Sequence, residues 1–306
     1  MYKLFRIAVI ISRRLPRWAI EPIGSLGGLL FWLVATGARK QATENMVHVL
    51  GEETVQTRQG RRRLRRTVQG MFQNSVRNYL QAFALPTTTA KTILDTMQVE
   101  GEDHLKEALA RGKGVLLFSA HLGPFDYLSQ WIAIKGYDLT IPVERLQDQR
   151  MLDLMLTLRR SHGVHFLPLG GSAPMRTILQ ALRNNKIVLI TADRAVQGER
   201  VEMPFFGAPA ELPSGPAALA IRTGATVVGA FGWRNYHTNG KHPIEAIFTP
   251  LSLALPEEQR TDTTSVIRGI VDRMEQHIGA HPEQWVVFSP IWKNTKITKN
   301  NVKGEA

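Results

Sequence analysis

The sequence predicts an α/β fold with a mostly parallel central sheet flanked by helices on both faces, preceded by an N-terminal helical segment. From residue 97 onward, short apolar runs rich in β-branched residues alternate with stretches of helical periodicity. These runs are too continuously apolar to leave one face of a sheet in water, which favours a parallel sheet covered by helices. Before residue 97 the chain has helical spacing and an excess of basic residues.

The composition is that of a globular chain, and it restricts the available chemistry. Of 306 residues, 43% are apolar and 21% are charged, and there is no cysteine, which excludes disulfides, thiolate nucleophiles and cysteine-ligated metals. The net charge is +12, and the first 100 residues hold fifteen Lys/Arg against six Asp/Glu. Such a basic field attracts nucleic acid, anionic lipid headgroups or acidic carriers, and charge alone does not distinguish them.

Two apolar runs near the N-terminus indicate helices that lie in a membrane interface. Residues 7–11 form a run too short for a secretory signal, and arginines follow it without a small-residue cleavage site. Residues 23–38 are uncharged, but these 16 positions are fewer than the ~20 that span a bilayer. Trp18 and Trp32 are typical headgroup-level anchors. We therefore expect peripheral attachment to a membrane; the alternative is a buried helical hairpin.

An arginine-rich stretch follows, RQGRRRLRR at residues 58–66, with six arginines in nine positions. In a helix these charges point in nearly all directions, so they are either solvated or face phosphates. No RNP, zinc-finger or helix-turn-helix signature accompanies them, and we expect no nucleic acid partner. Residues 68–85 then have helical spacing, which Pro86 ends.

The elements of the body follow from local patterns. Apolar runs predict strands at residues 97–101, 114–120, 137–144, 164–168, 186–191, 226–234 and 242–250. Amphipathic periodicity predicts helices at residues 102–112, 125–135, 147–161, 173–184, 215–223 and 261–279. PFFGAPAELPSGPA, residues 204–217, is interpreted as a proline-defined loop. The resulting division is a basic amphipathic membrane-associating segment (1–90), an α/β domain (91–293) and a basic C-terminal tail (294–306).

Polar residues gather where the predicted strands end, which is where open α/β sheets bind their ligands. Four of them lie at or just after such ends: His121, Glu144, Asp193 and Arg234. His121 directly follows a fully apolar strand, and Asp126 comes five residues later across a Gly-Pro turn. We expect Asp126 to hold one ring nitrogen of His121, so that the other nitrogen accepts a proton from a substrate hydroxyl. The alternative is a structural histidine bound to a loop.

Four blocks of the sequence resemble one family. HLGPFD (residues 121–126) resembles the His-x4-Asp block of glycerolipid-type acyltransferases. Residues 143–163, 191–225 and 281–285 (HPEQW) are similar to the branch with bacterial lipid A biosynthesis lauroyl/myristoyl acyltransferases and mycobacterial phosphatidylinositol mannoside acyltransferases. The similarity extends from about residue 20 to Trp292. It implies a glycerolipid acyltransferase-like fold and transfer of a fatty acyl group from acyl-CoA or acyl carrier protein to a membrane glycolipid hydroxyl, without cofactor or metal.

The resemblance also implies roles by position. His121 matches the general base, and Asp126 matches the acid that supports it. Two further acids and three arginines match positions near the catalytic centre or the substrate: Glu144, Asp193, Arg145, Arg159 and Arg194.

The chain departs from the family pattern at one position. Members often carry another acid two residues after Asp193, where this chain has Ala195, and Glu202 is the candidate replacement. Phe205 and Phe206, in the proline-defined loop, are expected either to line an acyl groove or to plug the core.

Thioester chemistry agrees with these residue types. Attack on a thioester generates an oxyanion that backbone N–H groups or an arginine can stabilise, and the good leaving group removes the need for a covalent nucleophile. Two other functions stay open. One is a lipid or thioester hydrolase that uses the same base on water, although the chain has no G-x-S-x-G elbow. The other is a non-enzymatic membrane- or nucleic-acid-binding module built on residues 58–66.

The expected location is the cytoplasmic face of the bacterial inner membrane, with the chain peripheral or monotopic. There the acceptor stays at the interface while the soluble donor arrives from the cytoplasm. The sequence does not name the acceptor, the acyl chain length or the oligomeric state, and it does not separate CoA from carrier protein as the donor.

Overall fold

The structure is a computed structural model that describes residues 2–195, 198–236, 243–251 and 262–292. Five helices precede the sheet: α1 (Tyr2–Ser12), α2 (Arg17–Val34), α3 (Thr36–Leu50), α4 (Arg58–Ala84) and α5 (Ala90–Thr96). The helices of the body are α6 (Glu102–Ala110), α7 (Phe125–Ile134), α8 (Gln149–Arg159), α9 (Ala173–Arg183), α10 (Gly215–Thr223) and α11 (Thr263–Ala280). The tail predicted at 294–306 lies outside the described residues.

The strands are β1 (Met97–Glu100), β2 (Val115–Ser119), β3 (Leu139–Val143), β4 (His165–Pro168), β5 (Ile187–Thr191), β6 (Arg200–Phe205), β7 (Ala208–Pro213), β8 (Thr226–Arg234) and β9 (Ile244–Pro250). Seven of them form one sheet in the order β1-β9-β8-β2-β5-β3-β4. Every neighbouring pair in this sheet is parallel except β8 and β9. The predicted mostly parallel sheet is therefore confirmed.

Both faces of the sheet are covered, as the continuously apolar strands predict. In β2, Val115 and Leu117 belong to one hydrophobic core, whereas Leu116 and Phe118 belong to the other. Successive side chains of a strand point to opposite faces, so the two cores lie on opposite sides of the sheet. The register between β2 and β5 pairs Ser119 with Thr191. This register brings together the residues that follow these two strands.

The interpretation of residues 204–217 as a loop is wrong, because most of them form a β-hairpin. β6 and β7 pair antiparallel from Arg200–Pro213 to Phe205–Ala208. The turn consists of Phe206 and Gly207, with φ of 48° and 74°. A two-residue turn with positive φ at both positions matches the twist of paired strands. In a two-stranded ribbon prolines are tolerated, because each strand has an unpaired edge.

The N-terminal helices pack on α4, the longest helix. Gly24 and Gly28 of α2 touch α4 directly: an added Cβ would lie 2.3 Å from Arg77 Cγ and from Gln73 Cα, respectively. Within the described residues no single helix has the length and apolar composition to cross a bilayer; α2 and α3 meet that test only as a pair, which is bent by 99°. The six arginines of residues 58–66 are all exposed on the first turns of α4.

Candidate active site

His121 lies just beyond the end of the central strand β2. This strand is buried along its whole length and lies between β5 and β8. The chain then turns at Gly123, which has a φ of 55°. A Cβ at this position would lie 2.3 Å from the carbonyl oxygen of Gly232 in β8, so only glycine fits. The HLGPFD loop therefore bends closely over the carboxyl end of the sheet before α7 begins at Phe125.

Asp193 holds the imidazole of His121. The ring nitrogen Nδ1 lies 2.9 Å from Asp193 Oδ1, and the backbone N–H of His121 donates to Oδ2 at 2.9 Å. The indole Nε1–H of Trp285 donates to the same Oδ2 at 2.7 Å. An ionised carboxylate only accepts hydrogen bonds, so the neutral ring carries its proton on Nδ1 and keeps Nε2 as an acceptor.

The environment of Asp193 favours its ionised form. The residue is fully buried, and burial by itself would raise its pKa. The charge of His121 and the hydrogen bonds from His121 and Trp285 outweigh that effect, so the pKa of Asp193 is lowered from its usual value. An ionised carboxylate beside the ring would stabilise an imidazolium if Nε2 took up a proton.

The prediction that Asp126 orients His121 is wrong. Asp126 lies in the first turn of α7 and pairs with Arg159 at the end of α8. Arg159 Nε lies 2.9 Å from Oδ1, and its Nη2 donates to Oδ2 at 3.2 Å. Burial raises the pKa of Asp126, and the charges of Arg159 and His121 oppose this without cancelling it. The physical reason for the exchange of roles is the β2–β5 register, which already places Asp193 beside the ring.

A cavity of about 780 Å³ adjoins the ring, and 26% of the His121 side chain is exposed. Its polar lining brings together five of the ten predicted site residues: His121, Asp126, Glu144, Arg159 and Arg194. Glu144 follows β3 and Arg194 follows β5, and Glu144 Oε2 lies 3.6 Å from Arg194 Nη2. The strand ends therefore converge on one space, as the sheet topology predicts.

The rest of the cavity wall is largely apolar and comes from helices of both parts of the chain. The apolar side chains include Phe5 of α1, Tyr79 of α4, Leu128 of α7, and Met151, Leu152, Met155 and Leu156 of α8. Phe5 packs edge-on against Tyr79, with the ring centroids 6.0 Å apart. Met151 and Met155 place their flexible side chains in this wall. A polar floor beside apolar walls suits a ligand with a reactive polar end and an alkyl chain.

Five predicted site residues are absent from the cavity lining, and one of them is Asp193, which binds the ring of His121. Phe205 is fully buried and stacks on Trp292, so it plugs the core. Phe206 forms the hairpin turn and donates its backbone N–H to Glu275. Neither phenylalanine lines the cavity beside His121.

The other two are charged. Glu202 is exposed on β6, where it faces Glu211 across the hairpin, and does not replace the missing acid. Arg145 is exposed and lies against Gly170, where an added Cβ would come within 2.9 Å of its Nε. Its side chain is directed along the loop after β4 rather than into the cavity lining.

Three residues of the site were missed by sequence reasoning. Trp285 and Gln284 belong to the HPEQW block, which was noted for its family resemblance without a role for either side chain. Asn78 of α4 lines the cavity, and its Nδ2 donates to the carbonyl oxygen of Gly123 at 2.8 Å. The signal for Asn78 was its place in a helix of otherwise apolar periodicity, where a buried amide requires a partner.

Comparison with known proteins gives the class of this enzyme. Residues 2–294 match the family model of the bacterial lipid A biosynthesis acyltransferases. A phosphatidylinositol mannoside acyltransferase of Mycobacterium tuberculosis (strain H37Rv) is 28% identical over 284 residues, which cover 92% of this chain and 84% of the relative. A second phosphatidylinositol mannoside acyltransferase, from Mycolicibacterium smegmatis, is 25% identical over 271 residues, covering 88% of this chain and 84% of the relative.

The fold and the comparisons together define an acyltransferase with an α/β body. More specifically, the chain belongs to the bacterial lipid A biosynthesis acyltransferase family, because the family model spans nearly its whole length. The resemblance stated from the sequence blocks is thus confirmed.

Proposed function

We propose that this protein transfers a fatty acyl chain from an acyl thioester, acyl-CoA or acyl carrier protein, to a hydroxyl of a membrane glycolipid. The acceptor is of the phosphatidylinositol mannoside or lipid A precursor type. The observation that carries the proposal is the His121–Asp193 pair at the edge of a large, mostly apolar cavity. The relatives, which this chain matches over 84% of their length, are named phosphatidylinositol mannoside acyltransferases, and this supports a glycolipid acceptor.

In the proposed reaction His121 acts as a general base. Its Nε2 takes the proton of the acceptor hydroxyl while the hydroxyl oxygen attacks the thioester carbonyl carbon. The tetrahedral intermediate collapses, the C–S bond breaks, and the imidazolium returns the proton to the leaving sulfur. Asp193 keeps the ring in the required tautomer and balances the imidazolium charge. The products are the acylated glycolipid and the free thiol, and neither cofactor nor metal takes part in this scheme.

Substitution of His121 tests the base. The purified protein is incubated with acyl-CoA or acyl carrier protein and with each acceptor type, and the lipid products are analysed by mass spectrometry. His121→Ala should lower turnover by ~10²-fold or more while circular dichroism stays unchanged. His165→Ala is the matched control, because His165 lies on the edge strand β4 with 69% of its side chain exposed. Full acyl transfer by folded His121→Ala would refute the role of His121 as the general base. Free fatty acid as the only product of the unaltered protein would indicate a hydrolase.

The same proposal includes peripheral attachment to the cytoplasmic face of the bacterial inner membrane. α1 and α2 expose a group of large apolar side chains: Ile7, Ile10, Ile11, Trp18, Leu26, Leu30, Leu33 and Val34. Trp18 and Val34 are 76% and 77% exposed, respectively, which is unusual for side chains without a partner surface. Arginines border this apolar surface at both ends, at Arg13–Arg17 and on the first turns of α4, in the manner of an interfacial helix.

Vesicle flotation tests the attachment. Leu26→Gln/Leu30→Gln should weaken binding to vesicles of anionic phospholipid by about 10-fold or more, because two leucines no longer leave water. Met175→Gln is the matched control, since Met175 is equally an exposed apolar residue, at 45%, but lies on α9 of the body. Equal binding by all three proteins would exclude this apolar surface as the attachment site.

A further inference from the structure

A second buried arginine system lies next to the active-site loop and has no part in the mechanism above. Arg234, the last residue of β8, keeps only 3% of its side chain exposed. Burying a guanidinium is costly, and burial lowers the pKa of Arg234. Glu21 of α2, the carboxylate that faces it, lies 3.7 Å from Arg234 Nε and is half exposed. A surface position would hold this charge at far lower cost.

The hydrogen bonds of Arg234 point to a different use. Its Nη1 donates to Asn78 Oδ1 at 2.8 Å, and its Nη2 donates to Gln81 Oε1, so the planar fork fixes two neighbouring turns of α4. Its backbone is clamped by one side chain. The N–H of Arg234 donates to Gln284 Oε1 at 2.7 Å, and Gln284 Nε2 donates to the Arg234 carbonyl at 2.9 Å.

Two of these partners, Asn78 and Gln284, also bind Gly123, which lies in the middle of the HLGPFD loop. Asn78 Nδ2 donates to the Gly123 carbonyl at 2.8 Å, and the Gly123 N–H donates to the Gln284 carbonyl at 2.9 Å. Gly123 is thus tied through both of its backbone groups to residues that Arg234 binds. The backbone next to Gln284 also binds the loop, because the Val286 N–H donates to the His121 carbonyl at 2.9 Å.

Arg234 does not line the cavity itself, so it acts through these partners. We infer that Arg234 is a positioning residue for the acyl transfer, which fixes the backbone of the HLGPFD loop through Asn78 and Gln284 and thereby the place of the His121 ring. This inference rests on the proposed function. An error of about 1 Å in the position of a catalytic group costs on the order of 10²-fold in rate. The guanidinium fork holds Asn78 and the Arg234 backbone holds Gln284, so both supports of Gly123 are fixed and such an error is prevented.

The chain offers a matched control for this role. Arg77 of α4 belongs to the same buried cluster, with 9% of its side chain exposed, and pairs with the same Glu21 at 2.8 Å. Its other bonds are to Ser25, Tyr236 and, at 3.5 Å, to Asn74, and Gly123 is not among its partners or theirs in the described residues. Loss of Arg77 therefore reports the stability of the cluster without the link to the loop.

The experiment compares Arg234→Met and Arg77→Met with the unaltered full-length chain. Turnover, the KM for acyl-CoA and amide hydrogen exchange are measured on folded protein. Arg234→Met should lower kcat by on the order of 10²-fold with a KM within about threefold, and should speed exchange at the Gly123 amide. Arg77→Met should leave kcat and the Gly123 exchange rate unchanged, whatever its effect on Tm. Equal kcat in Arg234→Met and the unaltered chain, or an equal loss in both variants, would overturn the inference.

A third variant keeps the test possible if Arg234→Met cannot be obtained as folded protein. If Arg234→Met does not fold, Arg234→Lys retains the charge but cannot hold Asn78 and Gln81 at once, so kcat should still fall by about 10-fold with faster exchange at Gly123. Unchanged values in this variant would equally overturn the positioning role. The exchange measurement does not depend on the reaction. If His121→Ala retains acyl transfer, the proposed base is refuted, whereas exchange at the Gly123 amide still tests whether Arg234 fixes that backbone.

Discussion

Asp193 and Asp126 border the same imidazole from two sides, and their surroundings differ. Asp193 follows a central strand, is fully buried, and accepts hydrogen bonds from the His121 backbone and the Trp285 indole besides facing the ring. Asp126 starts a helix and pairs with Arg159, whose side chain is 22% exposed to the cavity. The pKa of Asp193 is lowered by its partners, whereas burial raises that of Asp126.

The His-x4-Asp spacing suggests one acid beside the histidine, whereas the structure has two acids with different functions. The acid inside the motif holds α8 against the loop, whereas the acid outside it controls the histidine. Sequence spacing brings Asp126 close to His121, but the carboxylate that binds the imidazole is selected by the neighbouring strand.

The largest effect is expected for Asp193→Asn. Oδ2 accepts from two N–H groups, so an amide at this position must place its oxygen there and turn its NH₂ towards Nδ1 of His121. The ring then carries its proton on Nε2 and cannot accept one from the acceptor hydroxyl. Turnover should fall by ~10²–10⁴-fold with the fold retained. Steady-state kinetics with acyl-CoA measures this, and a variant with more than a tenth of the original kcat would contradict the assignment.

Asp126→Asn should be milder, with turnover lower by about 10-fold. The amide oxygen still accepts a bond from Arg159, and the His121–Asp193 contact is unaffected. Because burial already disfavours the charged form of Asp126, the free energy of unfolding should change by no more than about 1 kcal/mol. Kinetics and urea unfolding on the same preparation test both statements. A loss of turnover as large as that of Asp193→Asn would remove the distinction between the two acids.

Trp285→Phe removes one donor to Asp193 and leaves the other contacts of that carboxylate in place. Turnover should fall by only about threefold. The free energy of unfolding should fall by about 1.5–3 kcal/mol, because a bond to a buried charge is lost. The ratio of the two effects is the informative result: a stability loss without a large kinetic loss shows that Trp285 supports Asp193 rather than the reaction directly.

The pH dependence of stability should have opposite signs for the two acids, with effects of about 1 kcal/mol. The folded-state pKa of Asp193 is lowered, so its contribution to the free energy of unfolding is complete above about pH 4 and is lost as the pH falls through that lowered pKa. The pKa of Asp126 is raised, so its ionisation costs stability at neutral pH, and this cost disappears as the pH falls towards about 4.

Urea unfolding of the unaltered chain and both Asn variants from pH 7 to 3 measures these contributions. The advantage of the unaltered chain over Asp193→Asn should shrink below about pH 4. Its difference from Asp126→Asn should instead move in favour of the unaltered chain between neutral pH and about 4. The same trend for both variants would show that the two carboxylates share one environment.

Much of the fold was predictable because it depends on local pattern. Strands such as β2 and β5 are largely apolar runs, and the ends of β2, β3 and β5 correctly located His121, Glu144 and Asp193 at one edge of the sheet. The β6–β7 hairpin was not predictable in the same way. Its prolines suggest a loop, and only the positive φ at Phe206, an unfavourable conformation for an aromatic residue, closes the turn.

Half of the predicted site residues line the cavity, but the pairing of His121 with Asp193 was not predictable. His121 and Asp193 are 72 residues apart, and they meet because β5 is the neighbour of β2 in the register that pairs Ser119 with Thr191. Strand order is a property of the whole sheet, and no spacing within one segment encodes it. Asn78 and Gln284 were missed for a related reason: their function consists of bonds to backbone groups of a distant loop.

The register of β2 and β5 has a consequence for inactivation by heat. His121 and Asp193 each stand two positions beyond a paired rung of the sheet, so their separation is set by the inter-strand ladder and not by the helices around it. Loosening of α1 or α2 on warming leaves that ladder intact. The histidine–aspartate contact is therefore lost only when the central strands separate, and irreversible loss of acid–base competence should follow the cooperative melting of the β-structure rather than any earlier event at the N-terminus.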